Sequence, residues 1–392
     1  MNLPLKGVKV LDLSRLLPGP LCTMILADLG AEVIKVEDHM GGDYIRWIEP
    51  QMKHQNPSFY ALNRNKKSIR LNLRDEEGKG IFKKLVKSAD VVLETFRPGV
   101  MDRLGLGWRQ LQKINPGLIY CSLTGYGQDG PYKDLPGHDL NYLSIAGVLS
   151  MMETQAGRPV LAGIPIADIG GGALPAAIAI LGALYGKRCT GVGQFLDVSM
   201  VDGLNFFLSF GMPQYMVDRD LKRIANDWIN GGYAFYNVYQ ASDGAYLALG
   251  CVEEKFWRNF CKGIEREELI TEMFSPEPRR SEIISEVAEI FMRKSSTDWI
   301  EFFKGHDVCI TRVHNFEEAL NDPHIKHRGL WFMQDDSLEG QIPQMAFPVK
   351  FSAIQPGWQS SPPLLGEHTA EVLSQLGYNS EDIKDLIRKK VI

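Results

Sequence analysis

His138 and Asp168 are the two residues of this chain whose types and spacing best suit proton-transfer chemistry. The histidine stands in the polar loop GHDLNY, and the aspartate follows about thirty residues later on the glycine-rich turn ADIGGG, ahead of an apolar helix. Taken alone, the histidine is typical of a hydrogen-bonded loop residue and the aspartate of a helix N-cap. Presented together from two segments, they could take and return a proton on opposite faces of one carbon atom.

The elements that must position this pair begin with a β-α-β unit. Residues 8–13 predict a buried strand, residues 21–29 a helix behind the break PGP, and residues 31–36 a second strand. Further helices are predicted over residues 78–88 and 173–185, and further strands over residues 89–93, 118–123 and 194–198. Alternation of helices and strands predicts an α/β fold with a parallel sheet in a large domain.

The hydrophobic pattern changes near residue 231, which predicts a second and smaller domain. Two antiparallel strands are expected around the turn Ser242-Asp243-Gly244, and charged amphipathic helices follow them. The predicted organisation is a large α/β domain over 1–198, a linker over 199–236, a small α+β domain over 237–322, a linker over 323–342 and a return to the large domain over 343–392.

The composition excludes several classes of protein. A net charge of -5 over 392 residues argues against a nucleic-acid binder, which would usually be basic. The first residues lack the charged segment and apolar core of a secretory signal, and the apolar run at 173–185 is too short to span a bilayer. We therefore expect no membrane span and a cytoplasmic protein, or one of an organelle matrix.

Neither the cysteines nor the histidines predict a metal site. The six cysteines contain no CxxC pair, which favours buried free thiols in a reducing compartment. His324 and His327 form an HxxH motif, but no cluster of carboxylates or thiolates completes a ligand set. Because the chain also lacks GxGxxG, Walker and GxSxG motifs, we expect no nicotinamide cofactor, no P-loop and no serine nucleophile. The sequence implies no permanently bound cofactor.

Basic residues near the strands indicate a small phosphorylated ligand as an alternative to a solvated charged surface. Arg64, Lys66 and Lys67 lie within four positions, just before the strand-like segment SIRLNL. Arg97 and Arg103 follow the third predicted strand, near the carboxyl end of the sheet, where open α/β folds bind ligands. Arginine is suited to phosphate because its guanidinium donates two parallel hydrogen bonds.

A series of motifs along the chain indicates one family. They are PGP at 18–20, ADLGAEV at 27–33, RNKK at 64–67, FRPGV at 96–100, RLGLG at 103–107, GYGQDGP at 125–131, GHDLNY at 137–142, ADIGGG at 167–172, GVGQ at 191–194 and MVDG at 200–203. Through them the chain resembles the family III CoA-transferase superfamily, and within it the α-methylacyl-CoA racemases. The resemblance implies an acyl-CoA substrate, a CoA-binding, Rossmann-like large domain, a small α+β domain and an interlocked homodimer with the active site between its subunits.

The resemblance also implies roles for individual residues. His138 matches the catalytic histidine of the racemases, and Asp168 matches their catalytic aspartate, which is the nucleophile in the transferases. Glu253 matches a glutamate near the histidine, contributed by the same or the partner subunit. Coenzyme A, as part of the substrate, is expected to contact Arg64, Asn65, Lys66, Lys67, Arg97, Arg103, Gly137, Asp139, Asn141 and Tyr142.

The motifs leave the reaction open. The GHDLNY histidine and the context of Glu253 resemble the racemases, whereas the approach GIPIA to Asp168 resembles chains called CoA-transferases. The four-glycine loop of the formyl-CoA transferases is missing. The residues favour proton exchange through an enolate, with backbone N–H groups near Gly170–Gly172 as candidate donors to its oxygen. Transfer of CoA through an Asp168 anhydride is the alternative, and a non-catalytic CoA-binding protein is a third.

Overall fold

A six-stranded parallel sheet forms the centre of the first structural unit. The computed structural model describes residues 3–152, 157–220 and 227–392. The strands are β1 (Lys9–Leu13), β2 (Glu32–Glu37), β3 (Lys66–Arg70), β4 (Val91–Glu94), β5 (Ile119–Thr124) and β6 (Phe195–Ser199). Their order is β3-β2-β1-β4-β5-β6, with every pair parallel. The order reverses between β1 and β4, and ligands of open α/β sheets bind beyond the carboxyl ends of the strands at such a reversal. The predicted Rossmann-like α/β fold is confirmed.

Helices cover both faces of this sheet, because its central strands are buried along their whole length. The α-helices that belong to this part are Pro18–Asp28, Pro57–Leu62, Glu76–Val86, Val100–Arg103, Trp108–Ile114, Asp139–Ile145, Leu174–Thr190, Met200–Gly203, Thr369–Gln375 and Ser380–Arg388. A π-helical segment, Ala167–Ala173, precedes the longest of them, and short 3₁₀ segments span Tyr44–Trp47, Leu149–Met151 and Leu204–Leu208. The C-terminal helices pack onto the core of the sheet through Val372, Leu373 and Leu386.

A second unit has its own antiparallel sheet and its own core. Its strands are β7 (Tyr236–Gln240), β8 (Tyr246–Gly250) and β9 (Ile310–Arg312), which pair in that order. Its helices are Gly211–Asp218, Glu254–Gly263, Arg279–Phe291, Ser296–Phe303 and Phe316–Asn321, with a 3₁₀ segment at Glu267–Ile270. Aromatic rings fill the core, as in the stacked pair Trp257 and Phe260, whose ring centroids lie 5.5 Å apart.

The two units do not follow the predicted linkers residue by residue. One comprises Met1–Ser150, Val160–Phe207 and Lys326–Ile392, and the other comprises Met151–Pro159 and Leu208–Ile325. The range 323–342, predicted as a linker, contains the helix Pro323–Arg328 and much of a hairpin. That hairpin pairs β10 (Trp331–Asp336) with β11 (Gly340–Met345). Side-chain exposure alternates along much of both strands, as expected where successive side chains point to opposite faces of a hairpin.

One helix is longer than the sequence predicts. The π-helical and α-helical segments together give a continuous helix over Ala167–Thr190, whereas the sequence predicts 173–185. By length and composition alone this helix could cross a membrane, and 44% of its most apolar window is buried inside the protein. Core helices of soluble proteins meet the same criterion, so this is weak evidence for a span.

All six cysteines are free thiols, and two of them correct the expectation that all are buried. Cys189 and Cys309 are exposed, whereas the other four are buried. Cys189 lies in the last turn of the helix Leu174–Thr190, and Cys309 precedes β9. Apolar surroundings raise the pKa of each buried thiol, as at Cys261, where it rises to about 12.

Two glycines of the helix Glu76–Val86 provide a matched test of packing. A Cβ atom at Gly78 would lie 2.1 Å from the backbone oxygen of Asn72, whereas one at Gly80 would meet no atom within 4 Å. We expect Gly78→Ala to lower the free energy of unfolding by about 1–3 kcal/mol through overpacking. Gly80→Ala should raise it by up to about 1 kcal/mol, because alanine favours the helix. Urea denaturation of both variants measures the difference, and equal effects would contradict the packing seen here.

Candidate active site

A cavity of about 420 Å³ lies where the strand order reverses, beyond the carboxyl ends of the sheet. Loops that follow different strands supply its wall, so residues far apart in sequence meet there. The polar side chains in the wall are Arg15, Tyr44, Thr95, Arg97, Thr124, Tyr126, Lys133, His138, Tyr142 and Asp168. The two residues that the sequence marks for proton transfer therefore face one cavity.

His138 is held at the beginning of a short helix. It is the N-cap residue of Asp139–Ile145, and its backbone N–H donates to Oδ1 of Asn141 at 3.0 Å. This bond fixes the backbone of His138 without using its ring. The imidazole is therefore presented to the cavity from an exposed position.

Asp168 lies in the first turn of the π-helical segment and is tied to the histidine's helix. Its backbone N–H donates to Oδ1 of Asp139 at 3.0 Å. Since Asp139 directly follows His138, this bond couples the two segments that carry the candidate acid and base. Asp139 and Asn141, which the resemblance assigns to CoA binding, thus have hydrogen bonds that position the pair.

The environment of Asp168 favours its protonated form. Burial raises the pKa of this carboxyl from 3.8 to about 6, the negative charge of Asp139 adds to the rise, and His138 opposes it. A carboxyl of this pKa can both accept and donate a proton near neutral pH.

Tyr142 and two glycines shape the cavity beside this pair. The Tyr142 hydroxyl donates to the backbone oxygen of Gly137 at 2.5 Å. A Cβ atom at Gly137 or Gly125 would lie 2.7 or 2.2 Å from the Tyr142 ring, so only glycine fits at both positions. Burial, followed by the charge of Asp168, raises the pKa of Tyr142 to about 12, whereas Arg97 lowers it. Of the predicted CoA contacts, Gly137, Tyr142 and Arg97 therefore line the cavity.

The basic cluster RNKK, residues 64–67, does not line the cavity. Arg64 is buried and forms an ion pair with Asp28, with its Nη2 atom 2.6 Å from Oδ2. The side-chain amide of Asn65 also donates to Asp28, at 2.8 Å. Lys66 is buried against Asp12, with Nζ 3.2 Å from Oδ2. These three side chains are committed to the interior of the sheet unit and do not line the cavity.

Two more predicted CoA contacts lie on the surface outside the cavity wall. Lys67 pairs with Glu32 at 3.2 Å and with Glu371 at 2.8 Å. Arg103 ends the helix Val100–Arg103 and is exposed. Contact of Lys67 and Arg103 with CoA stays a prediction.

Glu253 lies in the second unit. It is the N-cap residue of the helix Glu254–Gly263, and its side chain is exposed. Its proximity to the histidine, in either subunit, stays a prediction.

The glycines after Asp168 have a packing role. A Cβ atom at Gly171 would lie 2.4 Å from the backbone oxygen of Met200, and one at Gly203 would lie 2.0 Å from the oxygen of Gly171. The helix Met200–Gly203 therefore needs glycine on both sides of this contact. Donation by Gly170–Gly172 to an oxyanion stays a prediction.

Arg15 and Tyr44 line the cavity, yet the sequence analysis did not select them. Burial raises the pKa of Tyr44, Asp43 and Asp168 raise it further, and Arg15 lowers it, so this phenol lies among three charges. Arg15 follows β1, and Tyr44 follows β2. Their position after parallel strands was the available signal, because the carboxyl ends of such strands meet at one edge of the sheet.

In the part of the chain that the structure describes, no group of three or more His, Cys, Asp or Glu side chains is arranged to hold a metal ion.

Asp168 provides a test of the site through stability. Its pKa of about 6 in the folded chain exceeds the ordinary 3.8, so the folded state loses stability as the pH rises between these values. Asp168→Asn removes this loss of stability, because the amide does not ionise. At pH 8 we expect the variant to be more stable by roughly 1–2 kcal/mol, after allowance for partial exposure, with no difference below about pH 4. Urea denaturation of parent and variant between about pH 4 and pH 8 measures this difference in the free energy of unfolding. Asp129→Asn, at an exposed aspartate, is the control. A pH-independent difference would contradict the raised pKa.

The comparisons with known proteins show the family to which the chain belongs. The model of the family described as CoA-transferase family III matches residues 5–369. The chain is 35% identical to human alpha-methylacyl-CoA racemase, over 99% of this chain and 97% of the relative. It is 33% identical to human succinyl-CoA:glutarate CoA-transferase, over 99% and 90%. The crystal structure of a CAIB/BAIF family protein from Brucella suis superposes with a TM-score of 0.82 and 30% identity, covering 96% of this chain and 100% of that one. The chain belongs to CoA-transferase family III, an enzyme family of acyl-CoA racemases and CoA-transferases.

Proposed function

We propose that this chain is an acyl-CoA racemase that exchanges the proton α to the thioester carbonyl. The observation that carries the proposal is that His138 and Asp168 face one cavity and that the pKa of Asp168 is about 6. A base on one face of the α-carbon and an acid on the other are what inversion through a planar intermediate needs. The similarity to alpha-methylacyl-CoA racemase over nearly the whole chain supports it.

Each residue would act as base in one direction and as acid in the other. When Asp168 takes the proton, the electron pair of the broken C–H bond moves into the carbonyl and gives an enolate. Protonated His138 then donates a proton to the opposite face of the same carbon. The positive charge of Arg97 in the cavity wall favours the enolate, because negative charge grows on the thioester oxygen.

A second cavity lies next to the first, and two adjoining cavities suit an elongated ligand such as an acyl-CoA. Its volume is about 250 Å³, and Arg15 and Phe96 line both cavities. Asn72 and Arg74 lie in its wall, beyond the carboxyl end of β3. We propose that the CoA portion occupies this second cavity while the acyl group faces His138 and Asp168. The proposed reaction needs no resident cofactor.

We further propose an interlocked homodimer, in which Glu253 of one subunit or the other orients the imidazole of His138. The resemblance to the family motivates this assembly. The open face of the three-stranded sheet in the second unit is consistent with it, since Val238, Tyr246 and Val313 are each about half exposed there.

CoA transfer between carboxylic acids is the second candidate. Here the Asp168 carboxylate would attack a donor thioester, giving an acyl anhydride and CoA thiolate. The thiolate would attack the aspartyl carbonyl, expel the donor carboxylate and leave an enzyme–CoA thioester. The acceptor carboxylate would displace CoA from that thioester to give a second anhydride, and the thiolate would then attack its acyl carbonyl, releasing the new acyl-CoA and the free Asp168 carboxylate. The specific support is the similarity to succinyl-CoA:glutarate CoA-transferase, which nearly equals that to the racemase. In this reaction His138 would only orient a ligand.

An exchange assay in D₂O tests the proposed racemase. The chain is incubated with an enantiopure 2-methylacyl-CoA, with and without free carboxylic acids, and NMR and mass spectrometry follow the α-carbon. We expect deuterium uptake with loss of stereopurity in the absence of acid. His138→Ala or Asp168→Asn should slow it at least ~10²-fold, because each removes one proton-transfer group. His324→Ala, an exposed histidine of the second unit, is the control. A new acyl-CoA that forms only with added acid, without α-exchange, would establish the transferase instead.

Asp139→Asn tests the electrostatic link between the two segments. The amide oxygen can still accept from the Asp168 backbone N–H, but the like charge that raises the pKa of Asp168 is gone. In the direction in which Asp168 is the base, kcat/KM should rise with pH as its carboxyl ionises. We expect this acidic limb, near pH 6 in the parent, to move to lower pH in the variant. An unmoved limb would show that another group controls the rate.

A further inference from the structure

Arg15 stands between the two cavities. Its side chain is half-buried and lines both, and its guanidinium carbon lies 5.5 Å from the centroid of the Phe96 ring. Its backbone N–H donates to the hydroxyl oxygen of Thr95 at 3.3 Å. The residue therefore bridges the loops after β1 and β4, which flank the point where the strand order reverses.

The guanidinium of Arg15 has no carboxylate partner within residues 3–152, 157–220 and 227–392, although Asp43 and Asp168 line the same cavities. The other arginines buried in this unit are paired: Arg46 contacts Glu37 at 2.6 Å, and Arg64 contacts Asp28 at the same distance. A half-buried guanidinium without a counter-charge is suited to a bidentate anion brought by a ligand.

The backbone next to Arg15 is held in a conformation that its sequence disfavours. Leu16 has φ +61°, in the left-handed region that is unfavourable for leucine. Its N–H lies 3.2 Å from both carboxylate oxygens of Asp43. Asp43 is itself buried, 3.1 Å from the Nζ atom of Lys35. Such local strain persists only where the surroundings impose it, and it clusters at ligand sites.

We propose that Arg15 binds an anionic group of the ligand and that Asp43 positions it through the backbone of Leu16. The anion is either a phosphate of the CoA portion or a carboxylate on the acyl group, since a guanidinium recognises both in the same way. The inference rests on the proposed function only in taking an acyl-CoA as the ligand. It concerns binding, so it holds whether the reaction is racemisation or CoA transfer.

Binding of two thioesters to the full chain tests Arg15 and distinguishes the two anions. Butyryl-CoA and glutaryl-CoA share the phosphates, but only glutaryl-CoA carries an acyl carboxylate, and neither has an α-stereocentre to racemise. Calorimetry should show that Arg15→Met weakens binding about tenfold or more. An equal loss for both ligands assigns the phosphate, and a loss for glutaryl-CoA alone assigns the carboxylate. Arg109→Met, exposed on the helix Trp108–Ile114, is the charge-matched control.

Unchanged affinity of Arg15→Met for both ligands would overturn the proposal, as would failure of the parent chain to bind either. Absence of α-exchange in a chain that still binds butyryl-CoA would contradict only the proposed racemase. The two failures are therefore distinguishable.

Variants of Asp43 and Leu16 test the positioning role. We expect Asp43→Asn to weaken binding of the same ligand as Arg15→Met does, although the guanidinium is intact. Adding Leu16→Gly should recover at least half of the loss in binding free energy, because glycine adopts the left-handed conformation without the carboxylate. Simple destabilisation by the unpaired Lys35 would not be corrected in this way, so a lack of recovery would overturn the positioning role.

A second variant keeps this test decisive if Asp43→Asn does not fold. Leu16→Pro removes the N–H that Asp43 accepts and excludes positive φ, yet it leaves the buried Asp43–Lys35 pair intact. It should weaken binding about tenfold as well. Because proline also strains this turn, thermal unfolding must first show that the variant is folded at the temperature of the binding assay. If Leu16→Pro binds the ligand as tightly as the parent does, Arg15 is not positioned through this turn and the positioning role is overturned.

Discussion

Buried charges join strands β1, β2 and β3 and fix the loops that form the cavity. Asp12 and Lys66 lie 3.2 Å apart, and Lys35 and Asp43 lie 3.1 Å apart, all four nearly inaccessible to solvent. Burial alone would raise the pKa of Asp12, but Lys66 and Lys35 outweigh it and hold that pKa at about 2. Burial lowers the pKa of Lys66 only to about 8, so the Asp12–Lys66 pair is ionic at neutral pH. Removing one partner of such a pair costs about 3–5 kcal/mol, because the other charge stays buried without compensation.

The geometry of the cavity depends on these charges through the backbone. The Nζ atom of Lys35 donates to the carbonyl oxygen of Ser14 at 2.8 Å, and Asp43 accepts from Leu16. In the other pair, Asp12 accepts from the backbone N–H of Ser14 at 2.9 Å, so both pairs end at the turn that carries Arg15. This arrangement also changes the meaning of the RNKK motif. Its first and third residues, Arg64 and Lys66, are buried and paired with Asp28 and Asp12 inside the sheet unit, and their contact with CoA stays a prediction.

The sequence predicts the elements whose signal is local. Apolar runs give the parallel strands, and the motifs around His138 and Asp168 bring both residues to one cavity together with Arg97, Gly137 and Tyr142. The sequence predicts a linker over much of the hairpin of β10 and β11, because exposed and partly buried residues are mixed along these strands and their hydrophobicity shows no clear period. Charge pairing is not local either. Arg64 is paired inside the sheet unit, whereas Arg15 at the cavity has no carboxylate partner among the described residues. Which of the two applies to an arginine depends on acids tens of residues away in the sequence.

The catalytic pair by itself does not separate racemisation from CoA transfer, because an aspartate in the same place can be a base or a nucleophile. The protonation state of the Asp168 carboxyl does bear on which of the two reactions is favoured. A nucleophilic carboxylate has to be ionised throughout the working pH range, whereas a residue that alternates between acid and base needs a pKa near that range. Burial and the neighbouring Asp139 move Asp168 toward the second condition. Asp139 is held there by accepting the Asp168 backbone N–H, so the bond that joins the two segments also adjusts the acidity on which proton exchange depends.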